Sequence, residues 1–364
     1  MKWLNEEDIE HIAIGASVLG TGGGGDPYIG KLMALHAIRK YGPVQVITMD
    51  ELKEDHWIVP ISGMGSPSVL VEKIPSFEML MAPLIAYEKA SGKKIDIVMP
   101  IEIGGVNSLI PVAVAAMKGI PILDGDAMGR AFPEAQMVTF HLDGLKPELV
   151  TIADEKGNTV TIEPADGHWS EKIARTITIS MGGSSIVADY GVTGIQAKKS
   201  VIPGTLTLAQ KIGEILKQPR NGAVHPIEQM LTLLDGHQLF RGKAVEIKRG
   251  IEGGFTRGKA VFEGSEENDL DSCVLSFQNE HLLAEINNKP IAMTPDLIAV
   301  LDEETGMPIT TEGLRYGARV IIVAFPANER WRTPIGIETA GPRYFKYPYD
   351  YTPLEILIKE FVSS

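Results

Sequence analysis

From residue 44 to residue 134 the chain alternates short β-branched runs with longer stretches of helical periodicity, and this alternation constrains the fold more than any other feature. Val44 to Thr48, Trp57 to Ile61, Ile95 to Met99 and Ile120 to Leu123 read as strands, while Ser76 to Ser91, interrupted by Pro83, and Ser108 to Lys118 read as helices. A βαβαβ pattern gives parallel strands with right-handed crossovers, so the segments that follow the strands emerge at one edge of the sheet, where open α/β folds bind ligands. Those segments are SGMGSPS at 62–68, EIGGVNS at 102–108 and DGDAMGRAFPE at 124–134. In the last of them Asp124 and Asp126 stand two apart. They share one face if the strand continues, or sit just past its end if it stops, within reach of Arg130 and Glu134. An ordinary turn with a structural Arg130–Glu134 ion pair is the plain alternative. Convergence of three glycine-rich polar loops on one edge favours a site.

Upstream, Asn5 or Asp8 can cap a first helix carrying Ile9, Ile12, Val18 and Leu19, which runs into GTGGGGDPYIG at 20–30. Five glycines in the six residues 20–25 end that helix. Asp26 followed by Pro27 starts another, which stops at Gly42 and Pro43. The loop therefore opens onto a helix amino terminus, and Thr21, Gly22, Gly23, Gly24, Gly25 and Asp26 are candidates to hold a carboxylate or ring carbonyl. GDPYIGKL nearly matches a phosphate-binding P-loop, and Gly20, Gly22 and Gly25 fit a dinucleotide spacing. Both fail on context: Leu32 stands where the P-loop hydroxyl belongs, and a helix precedes the glycines where a strand is required. No nucleotide is expected.

Beyond Gln136, MVTFHL reads as a strand carrying His141, and Leu149 to Ile152 with Thr159 to Ile162 as a hairpin. A helix or strand to Ser180 follows His168 and Trp169, MGGSS at 181–185 reads as a tight turn, and Leu206 to Gln218 and Pro226 to Leu234 are helices. From Phe240 the pattern becomes short β runs at 244–249, 258–263, 273–278, 282–286, 297–302 and 318–324, which predicts a sandwich or barrel. The expected division is an α/β domain over 1–235, with a mainly parallel sheet, and a β-rich barrel-like domain over 236–364 that ends in a helix. Asn279, Glu280 and His281 reach the site if the barrel packs over the loop edge. His168 is a further candidate, and Cys273 reads as a small core residue.

A formal charge of -13 with no basic block argues against nucleic acid and anionic membranes, leaving a small molecule as the expected partner. The longest apolar run, Leu109 to Met117, is half a membrane span. A single cysteine excludes an internal disulfide, and the acidic start is unlike a signal peptide, so a cytoplasmic location is expected.

The chain resembles the S-methyl thiohydantoin desulfurase family over nearly its full length, through GTGGGGDPYIG, EIGGVNS and DGDAMGRAFPE and, in the carboxyl half, NEHL at 279–282, TPDLI at 294–298 and LRYGARV at 314–320. The resemblance implies an α/β amino-terminal domain, a β-barrel carboxyl-terminal domain, and hydrolysis at C2 of an S-methylated thiohydantoin, with water replacing methanethiol. For that chemistry Asp124 or Asp126 is expected as the base and Glu102 and Arg130 as orienting or charge-balancing groups. The glycine loops, including Gly104 and Gly105, with Asn107 and Glu134, are expected to contact substrate. No cofactor is expected. Two alternatives stand beside this reading. One is a cyclic amidase holding a divalent metal on Asp124, Asp126, Glu102 and His168, which no HxH or HExxH spacing supports. The other is a non-catalytic, metabolite-binding subunit of a hydantoinase-type complex. The expected assembly is a homo-oligomer or a complex with such a hydantoinase-type partner.

Overall fold

A computed structural model describes residues 2–66, 69, 76–219, 224–264 and 272–363. The first helix, Glu6–Leu19, is capped by Asn5, whose side chain accepts from the Asp8 amide while the Asp8 carboxylate accepts from the Asn5 amide. The second, Pro27–Tyr41, starts on Asp26 and Pro27 as the sequence predicts. A helix, then, precedes the glycines.

In chain order the first strands are β1 (Lys2–Leu4), β2 (Val44–Ile47), β3 (Trp57–Gly65), β4 (Ile97–Pro100) and β5 (Ile122–Leu123). They are followed by β6 (Gly125–Asp126), β7 (Val150–Ala153), β8 (Thr159–Ile162), β9 (Ser184–Ala188), β10 (Val192–Thr193) and β11 (Ile202–Pro203). The large sheet has the order β1-β2-β5-β4-β3-β9-β7-β8, with β10 also on β3, while β6 and β11 pair separately. Its parallel block is β2, β5, β4 and β3, whose inner strands are apolar on both faces because helices cover them. Antiparallel strands flank this block.

Two local expectations change. The strand expected to stop at Ile61 continues to Gly65, because β9 pairs along its second half, so Ser62 to Gly65 are strand and not loop. Pro67 and Ser68 of that expected loop lie outside the described residues. MVTFHL is not a strand. Thr139–Leu142 is a single helical turn, and the Thr139 amide and hydroxyl both bond the Ala127 carbonyl, at 2.7 and 3.0 Å, so this segment is tied to the 124–134 loop and not to a ladder.

The carboxyl half holds β12 (His237–Glu252), β13 (Phe255–Gly264), β14 (Ser272–Gln278), β15 (Glu280–Ile286), β16 (Lys289–Met293), β17 (Leu297–Asp302) and β18 (Arg319–Phe325). These form one curled antiparallel sheet, ordered β16-β15-β14-β13-β12-β18-β17. Along β17 and β18 the side chains alternate between two cores. Leu297, Ala299, Leu301, Ile321, Val323 and Phe325 pack into the core of the amino-terminal unit, and Ile298, Val300, Ile322 and Ala324 into the inside of the curl. The two units therefore share a core. Cys273 is buried inside the curl, where desolvation pushes its thiol up, away from reactivity. Among the described residues no helix is long and apolar enough to cross a membrane.

Candidate active site

The carboxyl ends of β3, β4 and β5 share an edge, and a small cleft, open to solvent, lies there. Gly24 and Gly25 line one wall, Ser62 to Gly65 another, and Glu102, Asn107, Glu134, Arg175 and Asp189 the rest. The lip comes from the curled sheet. Asn279, in a left-handed conformation at φ 58, turns the chain so that Glu280 begins β15 facing the cleft. The condition attached to Asn279, Glu280 and His281 is thus met for the first two, while His281 lies behind them.

Close backbone approach explains the glycine loop. The Gly24 carbonyl accepts the amides of Val106 and Asn107 at 2.8 and 3.2 Å. A Cβ on Gly24 would lie 2.5 Å from the Gly104 Cα, and one on Gly105 2.2 Å from the Gly25 carbonyl oxygen, so the two glycine pairs interleave as bare backbone. On its other side the loop meets the curled sheet: the His281 amide donates to the Thr21 carbonyl at 2.7 Å and the Thr311 amide to Gly22 at 2.8 Å. Among the described residues, the amides of Gly24 and Gly25 donate to no protein acceptor, which leaves two donors at the cleft wall.

Glu102 is buried with both oxygens engaged: Oε1 accepts from Asn107 Nδ2 at 2.5 Å and Oε2 from the Phe132 amide at 3.3 Å. Burial pushes its carboxyl up to about 7; these two bonds work against the shift, the nearby Asp126 charge adds to it and Arg130 opposes it. Glu280, 2% exposed, has an Oε2 with no partner. Burial, then the charge of Glu102, drive its carboxyl well above the ordinary range. Asp189 follows β9 directly, accepts no hydrogen bond among the described residues, and is pushed up to about 7 by burial. Arg175 is bonded to Glu171 Oε1 at 2.5 Å and to the Pro133 carbonyl at 3.1 Å. Glu134 accepts from Gln136 and Tyr344, both at 2.6 Å.

The expected pocket of Glu102, Asp124, Asp126 and the glycine loop is corrected in part. Asp124 is not in the cleft wall. It caps the helix Thr205–Leu216, accepting the Thr207 amide at 3.1 Å and hydroxyl at 2.5 Å. Asp126 lies beneath the floor, fully buried, its Oδ2 accepting the amides of Ile103, Met128 and Gly129 at 2.8–3.0 Å. Burial pushes it up to about 7. Arg130 is also inside, and makes no ion pair with Glu134. Its guanidinium donates to the carbonyls of Ala131, Pro295, Asp296 and His281 and to the Thr21 hydroxyl. Every N–H is used, so the cation fastens the curled sheet to the glycine loop and has none left for a ligand. Asp26 serves its helix, and Thr21, Gly22, Gly23, Gly104 and Gly105 shape the wall from behind. Gly182 and Gly183 form a turn into β9, as expected.

His168 does not line the cleft; its ring stands edge-on to His141. Among the described residues no group of three or more His, Cys, Asp or Glu side chains is arranged to hold a metal ion. Arg175 and Asp189 belong to the site but were not anticipated. Asp189 carries the signature that drew attention to Asp124, an apolar strand running straight into a carboxylate, whereas Arg175 in a helix gives no such sign.

Fold and cleft together define a two-part protein whose carboxylate-lined pocket is built by both parts. Two family models, described as S-Me-THD-like N-terminal domain and S-Me-THD-like C-terminal domain, match residues 7–164 and 165–354. The chain belongs to the S-methyl thiohydantoin desulfurase-like family. The C-terminal family model begins at residue 165, so it takes in helices that precede the curled sheet as well as the sheet itself. A crystal structure of a protein from Chromobacterium violaceum matches with a TM-score of 0.82 and 24% identity, covering 97% of this chain and 100% of its own, a likeness of fold. No curated protein matches.

Proposed function

We propose that the protein hydrolyses a small cyclic substrate of the S-methyl thiohydantoin type, with water replacing methanethiol at C2. The observation that carries this reading is the pair of buried carboxylates, Glu102 and Glu280, facing one cleft from the two halves of the chain. Their environments differ in the way an acid and a base require. Glu102 keeps two donors on its oxygens, which favour the ionised form, whereas Glu280 has an unpartnered oxygen and sits in the field of Glu102, which favours the neutral acid.

In this scheme Glu280 protonates the ring nitrogen beside C2, and Glu102 takes a proton from the attacking water as the oxygen–carbon bond forms. The C2–S bond then breaks, and methanethiol leaves with the proton held by Glu102. The remaining hydroxyl proton returns to Glu280 as the C2 carbonyl forms. The Gly24 and Gly25 amides hold the ring carbonyl oxygen. Asp124 and Asp126, expected as base candidates, here act on the scaffold.

Methanethiol release by wild type and three variants tests the assignment. Glu102→Gln and Glu280→Gln should each lower turnover by roughly 100-fold or more, the scale of a missing general acid or base, while Asp124→Asn stays within about threefold. If Asp124→Asn is the damaging change, the assignment is wrong. Wild type that releases no methanethiol from any S-methyl thiohydantoin offered removes the activity and leaves the metabolite-binding subunit in its place.

A further inference from the structure

Among the described residues the cleft is lined by more carboxyl groups than cations: Glu102, Glu134, Asp189 and Glu280 line it, against the guanidinium of Arg175. Arg175 is already committed to Glu171 and the Pro133 carbonyl, with its face 4.0 Å from the Phe255 ring centre. Beneath the floor Arg130 adds a cation, but Asp126 adds a carboxylate, and the Arg130 donors are all taken by backbone and Thr21. Glu102 and Glu134 each have protein donors. Glu280 Oε2 is buried with none, and the Asp189 carboxylate, in the cleft lining, accepts no hydrogen bond from a described residue; the two residues are only 2% and 5% exposed. Buried acceptors of this kind call for donors from a ligand. In the same cleft lining the amides of Gly24 and Gly25 call for an acceptor.

We propose that the cleft takes its ligand as a cation: a flat five-membered ring with a delocalised amidinium or guanidinium charge toward Asp189 and Glu280 and a carbonyl oxygen toward the glycine amides. Water can satisfy the hydrogen bonds but brings no counter-charge, whereas an N–H on a cation adds Coulomb attraction to its hydrogen bond with an ionised carboxylate. The inference rests on the desulfurase reading and deepens it, because an S-methyl thiohydantoin protonated on its ring nitrogen is such a cation.

Calorimetric titration of the full chain with non-reacting rings tests this without turnover. The probes are 2-aminoimidazoline, a cation at neutral pH, imidazolidin-2-one, its neutral counterpart, and imidazolidin-2-one-4-carboxylate, an anion. The cation should bind about tenfold or more tightly than the neutral ring, the step that one charge-assisted contact supplies. The anion should bind weakest. Asp189→Asn and Glu280→Gln, each shown by a melting curve to be folded, should both narrow that ratio. Equal or tighter binding of the neutral or anionic ring, no binding of the cation at millimolar concentration, or a ratio that neither variant changes overturns the proposal. A cation preference without methanethiol release removes the desulfurase and keeps the cation site; release without the preference does the reverse.

Discussion

Gly23 lies under Glu280 so closely that a methyl group there would come within 1.9 Å of Oε1. Its backbone is not in the left-handed region, so Gly23→Ala is free of φ strain and acts by displacing the glutamate. We expect this variant to melt within a few degrees of wild type and to lose methanethiol release by about tenfold or more, in proportion to the general acid it misplaces. Asp189 carries a different expectation. Its carboxyl moves from 3.8 to about 7 on folding, so the folded protein holds the proton to higher pH than the unfolded chain. Its contribution is fully present below about pH 4, fades as pH rises, and is gone above about 7, where a bare buried charge remains. Asp189→Asn removes the titration. Urea unfolding should find it more stable than wild type at pH 8, by roughly 2–4 kcal/mol, with the advantage shrinking toward pH 4.5. An advantage that is constant across this range counts against a buried, titrating Asp189.

At the level of elements, the loop after β4 depends on the loop after β5. Asp126 Oδ2 holds Ile103 at the root of EIGGVNS, together with Met128 and Gly129 of its own loop. Asp126→Ala orphans three buried amides and should cost about 3 kcal/mol or more in urea unfolding. Asp126→Asn keeps an oxygen for them and should cost less; equal losses would mean that the charge, not the acceptor, matters. These loops also mark how far the sequence could be read. Alternation of strands and helices placed EIGGVNS and the 124–134 loop at one edge, because parallel crossovers leave no other choice. Which way Asp124 and Asp126 point was not readable, since their partners, Thr207 and Ile103, are fixed by tertiary packing. Glu280 was legible only as a polar interruption in a β pattern. Lys289–Met293 escaped notice as a strand because it is five residues long and contains Pro290.

At the scale of the molecule, the boundary expected at 235/236 falls just before the curled sheet, yet the core crosses it. Leu297, Leu301, Val323 and Phe325 are packed with Ile9, Ile12 and Val18 in a single cluster. A fragment of residues 1–235 should therefore expose a large apolar face and show no cooperative melting transition. A sharp transition in that fragment, near the full chain's, would make the halves independent. The placement of Glu102 and Glu280 on opposite sides of this boundary has a consequence for biosynthesis. As the chain leaves the ribosome, one acidic partner emerges 178 residues ahead of the other. On the proposed mechanism, the nascent protein during that interval exposes half of a reactive centre and can do no chemistry with it. Turnover on that mechanism begins only once β15 has docked on the glycine loop, so an unfinished or clipped chain is expected to be silent.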